Sequence, residues 1–328
     1  MTPVDRRTVI GTALAAAAIL PATARAAAVP DAGHPQPAFS VNLWPGEAPG
    51  LQDPSLKDEA LERSKDPAVL DRAMVRIRTP RLDVFPAKQP NGAAVMITPG
   101  GAYQRVVIDK EGYELAAWLA ERGVTAFVCF YRLPTQGWAD PRNVSLADAQ
   151  RAMRLIRHRA AEWKIDPRRV AALGYSAGGH VCGDLATRHA EKVYAPVDAA
   201  DALDARPIVA APVYPAIAMD PFLAEQRGTT LGTTTQVSAT GPGWTMLDAQ
   251  VSKATPPCFL CHAEDDPVLP IANTLRLREA LKAAGVPVET HLFEEGGHGF
   301  GLRFTVGKPV AAWPELFIAF AKRHGLLA

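Results

Sequence analysis

Residues Val170-Ala171-Ala172-Leu173-Gly174-Tyr175-Ser176-Ala177-Gly178-Gly179-His180 decide how the chain is read. The run from Val170 to Gly174 predicts a strand, and Ala177 onward a helix. The turn between them has the pattern G-x-S-x-G. A sharp strand-to-helix turn needs small neighbours so that the backbone can fold tightly and push the serine hydroxyl out above a sheet. Ser176 is therefore the candidate nucleophile. The competing reading is a glycine-rich turn with an incidental serine, and the strand and helix on either side make the match specific.

Working outward, apolar strand-like runs alternate with helical patterns from residue 92 on. Strands are expected at Ala93–Thr98, Val124–Tyr131, Ile208–Val213, Pro257–His262 and Val286–Phe293. Helices are expected at Glu111–Arg122, before the stop Gly123, at Asn273–Ala284 with apolar Leu275, Leu277 and Leu281, and at Pro314–His324. The clearest helix carries Leu146, Ala149, Met153, Ile156, Ala160 and Trp163 as one apolar stripe. Upstream, Phe39–Leu43 and Met74–Val84 look like strands of an antiparallel start. Alternating elements with nearly all-apolar strands imply an α/β fold whose mostly parallel central sheet is covered by helices on both faces. Its chemistry is then expected at the carboxyl ends of the strands. Tyr214–Thr255 lacks periodicity and reads as a short insertion near the site. Nothing in the middle reads as a linker, so residues 39–328 are expected to form a single domain.

A serine hydroxyl needs an adjacent base, and the base a carboxylate to hold its tautomer. His180 and His189 fall on the helix after Ser176, His262 ends a strand, His291 lies inside one, and His324 is in the terminal helix. That leaves His298, in the turn Glu295-Gly296-Gly297-His298-Gly299-Phe300-Gly301, as general base. The acid is expected in Glu264-Asp265-Asp266-Pro267-Val268, with Asp266 preferred and Asp265 the alternative. Acyl transfer also needs donors for the tetrahedral oxyanion, and losing one costs about 10²–10³ in turnover. The Ala177 N–H is one candidate; Gly101 and Ala102, in Pro99-Gly100-Gly101-Ala102-Tyr103 after a strand, supply the other.

Composition excludes several classes. Of 328 residues, 48% are hydrophobic and 21% charged, and Lys+Arg 35 against Asp+Glu 34 leaves a net charge of +1. Neither disorder nor a nucleic-acid or anionic-membrane partner is signalled. A neutral or small partner is expected from this balance. The first residues, Asp5-Arg6-Arg7 followed by an apolar run to Leu20 and small residues to Ala28, read as an export signal of twin-arginine type over residues 1–26, with cleavage near Ala26 or Ala28. About ten apolar residues are too few to span a bilayer, so no membrane span is expected in the mature chain, which is placed in the periplasm or outside the cell. The competing reading is an amphipathic helix of the mature protein. Cys258 and Cys261 have a metal-like spacing but lie in one apolar strand, so they and Cys129 and Cys182 read as buried free thiols. No cofactor and no metal are signalled.

With these residues in place the chain resembles the α/β-hydrolase superfamily, and within it the bacterial acetylxylan esterase-like carbohydrate esterases related to the hormone-sensitive-lipase group. The likeness covers roughly residues 39–325. Besides the Ser176 turn it includes Pro99-Gly100-Gly101-Ala102-Tyr103, Tyr131-Arg132-Leu133-Pro134, Thr255-Pro256-Pro257, Asp265-Asp266 and Gly296-Gly297-His298-Gly299-Phe300-Gly301. The resemblance implies a triad of Ser176, Asp266 and His298. Pro99 stands in place of the lipases' loop histidine and Ala102 in place of their third glycine, which narrows the oxyanion loop. It further implies removal of acetyl or other small acyl groups from plant-polysaccharide sugars, so that the partner is a small-molecule or oligosaccharide ester. Tyr103, Trp138 and Trp244 offer faces for a sugar ring, yet read first as packing. Two other hypotheses stand beside the esterase. One is a peptidase or amidase with the same triad, although no propeller-sized domain precedes the hydrolase part, against the prolyl-oligopeptidase type. The other is a catalytically silent binding protein.

Overall fold

The computed structural model describes residues 34–217 and 245–327. The expected export signal, most of the expected insertion and Trp244 lie outside the described residues. The strands are β1 (Phe39–Asn42), β2 (Glu59–Glu62), β3 (Arg72–Val75), β4 (Arg81–Phe85), β5 (Ala94–Thr98), β6 (Val106–Val107), β7 (Thr125–Phe130), β8 (Val170–Tyr175), β9 (Ala210–Val213), β10 (Cys258–Ala263) and β11 (Val288–Phe293). The longer helices are α1 (Glu114–Glu121), α2 (Val144–His158), α3 (Ser176–Arg188), α4 (Ala272–Ala283) and α5 (Trp313–Arg323).

Eight strands form one sheet in the order β1-β4-β7-β5-β8-β9-β10-β11. From β7 to β11 every neighbouring pair is parallel, while β4 runs antiparallel to both β7 and β1. This is the α/β-hydrolase fold expected from the sequence. β5, β7, β8, β9 and β10 are buried at every residue, whereas the edge strands β1 and β11 are largely exposed or half-buried. Strands covered on both faces read as continuous apolar runs, and only the edges admit polar residues. Helix α1 packs on β7, α3 on β8 and β9, and α4 on β10 and β11. In α2 the stripe Leu146, Ala149, Met153 and Ile156 is buried as its spacing predicts; Ala160 and Trp163 lie past the helix end but stay buried.

Three expectations are corrected. Met74–Val84 is not one strand, because the chain breaks at Arg76, with φ 53°, and restarts after Pro80. β4 joins the main sheet, and β3 pairs with β2 and β6 in a separate three-stranded sheet. Leu275 is 38% exposed, since the buried face of α4 is set by Asn273, Thr274, Leu277 and Leu281. Asn273 and Thr274 can be buried there because each is hydrogen-bonded, to the Ile217 N–H and to His262. The helix expected from Glu111 begins with a π-turn at Asp109–Tyr113, which holds Glu111 inside the protein.

Candidate active site

Ser176 sits where β8 turns into α3, at φ 53°, a left-handed conformation that costs a non-glycine residue roughly 1–3 kcal/mol. The neighbouring glycines show why the turn tolerates nothing larger. A Cβ on Gly174 would lie 2.1 Å from the Gly178 carbonyl oxygen, and one on Gly178 would lie 2.0 Å from that of Thr98. The hydroxyl therefore stands at the N-terminus of a 13-residue helix, whose first N–H groups, Ala177 included, have no partner within the helix.

The structure brings the three residues singled out from sequence together. His298 Nε2 is 2.9 Å from Ser176 Oγ, and His298 Nδ1 is 2.7 Å from Asp266 Oδ2. These side chains follow β8, β10 and β11, at the carboxyl ends of parallel strands, as the fold class predicts. The two aspartates divide the work. Asp266 points inward from an exposed turn and holds the imidazole, while its Oδ1 accepts from the Val268 and Leu269 N–H groups at 2.7 and 2.8 Å. Asp265 points the other way and accepts from the N–H groups of Gly296 and Gly297 at 2.8 and 2.7 Å, fixing the loop that carries His298. Burial pushes the Asp266 carboxyl upward, but hydrogen bonds from His262 and His298 outweigh it and hold the group well below the usual carboxylate range.

The loop after β5 is held at several points. The Gly100 N–H donates to Glu111 Oε2 at 2.9 Å, and a Cβ there would strike Glu111 at 2.6 Å and the Ser176 Cβ at 2.9 Å. Gly101, Ala102 and Tyr103 follow with φ of 135°, 58° and 58°. Two successive non-glycine residues in the left-handed region store strain, and strain persists only where surrounding contacts fix it. Here the Tyr131 hydroxyl donates to the Pro99 carbonyl at 2.7 Å, and Tyr103 Oη is 2.8 Å from Nδ1 of the buried His180. Among the described residues no backbone hydrogen bond is donated by the N–H groups of Gly101, Ala102 or Ala177, the three expected oxyanion donors. Next to Tyr131, Arg132 pairs with Asp148 in the core, a contact whose loss on one side costs about 3–5 kcal/mol.

Sequence reasoning missed three residues. Glu111 is 3% exposed and ties the loop to Tyr214, whose hydroxyl donates to Oε1 at 3.1 Å. The Tyr214 ring lies 5.1 Å from the His298 ring and forms its wall. His262, set aside as a base, lies 3.0 Å from Asp266 Oδ2. No spacing marks the first two; His262 lies four residues from Asp266, a separation whose meaning depends on the turn between them. Tyr103 and Trp138 are core residues at 4% exposure, Trp138 lying against Arg132. The four cysteines are buried and unpaired, and burial pushes the Cys182 thiol up to about 12. Among the described residues no group of three or more His, Cys, Asp or Glu could hold a metal ion. None of the described helices is long and apolar enough to cross a membrane.

A family model described as the prolyl oligopeptidase family matches residues 116–324, a span that contains Ser176, Asp266 and His298. The type that the sequence reading disfavoured as a peptidase is thus the one whose model fits. An acetylxylan esterase of Xylanibacter ruminicola is 29% identical over 221 residues, 66% of this chain and 43% of that protein. Endo-1,4-β-xylanase B of Butyrivibrio fibrisolvens is 32% identical over 207 residues, 62% of this chain and 32% of that protein. The chain therefore spans less than half the length of these two relatives. An acetyl ester-xyloside bifunctional hydrolase from Caldicellulosiruptor lactoaceticus has a similar solved structure, with a TM-score of 0.65 and 27% identity over 90% of this chain and 100% of the other.

Proposed function

The chain belongs to the prolyl oligopeptidase family of α/β-hydrolases, and within that family we propose a serine esterase that removes acetyl or other small acyl groups from plant-polysaccharide sugars. The observation that carries this reading is His298, within hydrogen-bond reach of Ser176 Oγ at 2.9 Å and of Asp266 Oδ2 at 2.7 Å. In this mechanism Ser176 Oγ attacks the ester carbonyl carbon as its proton passes to His298 Nε2. Asp266, kept ionised, stabilises the imidazolium. The carbonyl oxygen becomes an oxyanion that accepts from the Ala177 N–H and from Gly101 or Ala102. Collapse breaks the bond to the sugar oxygen, which takes the proton from His298, and leaves an acyl-serine. Water then attacks the acyl carbon with His298 again as base, releasing the acid and Ser176.

The substrate class draws on the acetylxylan esterase and the acetyl ester-xyloside hydrolase among the similar proteins. The leader-like residues 5–28 support export, where the partners would be acylated oligosaccharides rather than metabolites of the cytoplasm; without the leader the assignment of chemistry is unchanged. Replacing Ser176 by Ala is expected to abolish p-nitrophenyl acetate turnover with the melting temperature preserved; near-parental activity would overturn the reading. The family match favours a peptidase or amidase as the second reading. Turnover of an acetyl ester against the matching amide separates the two, and acetylated xylo-oligosaccharides beside p-nitrophenyl esters of rising chain length define the substrate.

A further inference from the structure

Asp266 Oδ2, the oxygen that faces His298, has a second imidazole on it. His262 Nε2 lies 3.0 Å from Oδ2 and 3.0 Å from the Leu269 carbonyl oxygen. Both partners can only accept, so Nε2 carries the proton and donates to both. The other ring nitrogen, Nδ1, lies 2.7 Å from the Thr274 hydroxyl on α4. His262 is fully buried at the end of β10. The surrounding turn is not: Glu264, Asp265, Pro267 and Val268 are all exposed.

We infer that His262 is a positioning residue: by donating to Asp266 Oδ2 from a rigid central strand, it fixes the carboxylate that orients His298 towards Ser176. The inference rests on the proposed Ser176–His298 chemistry. Two backbone N–H groups occupy Oδ1, and they belong to the same exposed turn as Asp266 itself. Among the described residues, and apart from His298 itself, His262 is the side chain that ties the carboxylate to an element outside that turn, and through Thr274 it adds a second anchor on α4. The same proton also reaches the Leu269 carbonyl, so the turn and the carboxylate are held as one unit. A misplacement of about 1 Å at a catalytic group is enough to cost on the order of a hundredfold in rate.

Two substitutions separate positioning from packing. Glutamine can place an amide N–H where Nε2 stands, and asparagine only where Nδ1 stands. H262Q is expected to keep kcat within about threefold of the parent, while H262N lowers it by roughly 10–100-fold with KM unchanged. Equal kcat in both variants, or a loss carried by KM, would overturn the inference. Should neither variant fold, Thr274→Val and Thr274→Ser apply the same comparison at the other ring nitrogen: a lower kcat at constant KM for valine, restored by serine, supports the role, and no difference between them removes it. If the parent hydrolyses no ester, the functional reading fails first. The ¹H resonance of His298 Nδ1–H, which needs no substrate, then decides His262: it moves in H262N and holds in H262Q, or, if it is the same in both, the inference falls.

Discussion

The nucleophile side and the base side of the site are built on opposite principles. Around Ser176, close contact fixes the backbone: Ser176, Ala102 and Tyr103 all hold left-handed conformations, a Cβ on Gly178 would strike carbonyl oxygens of β5 and its loop, and one on Gly174 would strike the Gly178 carbonyl oxygen. Directly before His298, at Gly297, the backbone has room, although Gly296 and Gly301 in the same loop are closely packed. Gly297 and Gly299 have positive φ, and a Cβ on Gly297 would meet nothing within 4 Å. There, position comes from hydrogen bonds, two from the loop to Asp265 and one from the ring to Asp266. In the proposed mechanism rigidity suits the hydroxyl and the oxyanion donors, which must be in place before the reaction. A hydrogen-bonded loop suits an imidazole that takes a proton from one oxygen and gives it to another.

The same substitution on the two sides is the sharpest way to break this contrast, and the tight side gives the largest effect. In Gly178→Ala the new methyl group meets two backbone carbonyl oxygens, of Thr98 at 2.0 Å and Pro99 at 2.3 Å. We expect a loss above about 4 kcal/mol, seen as insoluble protein or as a collapse of the urea midpoint. A variant that melts within a few degrees of the parent would refute close contact as the controlling feature.

Asp266→Asn comes next. Its geometry is near that of the parent, but the amide presents the wrong group to His298, and kcat should fall by about 10⁴ with folding kept. The same variant tests the acid dependence of stability. Because the folded-state carboxyl lies below its unfolded value of 3.8, it stabilises the fold above that pH, and the contribution fades as the pH falls towards the folded-state value. Urea midpoints measured from pH 5 downward should therefore drop less steeply in the variant than in the parent.

Gly297→Ala is expected to do least. With open space around the Cβ, only the left-handed conformation is penalised, by roughly 1–2 kcal/mol, which lowers the melting temperature by a few degrees. Differential scanning calorimetry checks this, and a loss as large as that of Gly178→Ala would erase the contrast between the two sides.

What the sequence disclosed follows the same division. The Ser176 turn is legible because its pattern is local: a strand, a helix and glycines two residues to either side of the serine, even though part of what forces Gly178 is the distant β5 loop. His298 is legible because its glycines advertise a flexible turn after the last strand. Asp265 and Asp266 stay ambiguous from sequence, since which carboxylate points inward is decided by the fold of a turn that either residue could lead. Glu111 is out of reach: it meets Gly100 and Tyr214 only after a π-turn and the β9 crossover bring three distant segments together. The break at Arg76 is hidden for a related reason, because a non-glycine residue at positive φ leaves no compositional mark.

The order of strands has one last consequence. From β8 the sheet adds β9, β10 and β11 outward in the order in which the ribosome makes them. A nascent chain can thus form its serine turn while the His298 ring is still unsynthesised, and a polypeptide halted after β9 holds Ser176 without the imidazole that lies 2.9 Å from its hydroxyl in the finished fold. The Ser176–His298 hydrogen bond can close only when the outermost strand has docked, so under the proposed mechanism a half-made molecule is inert towards esters.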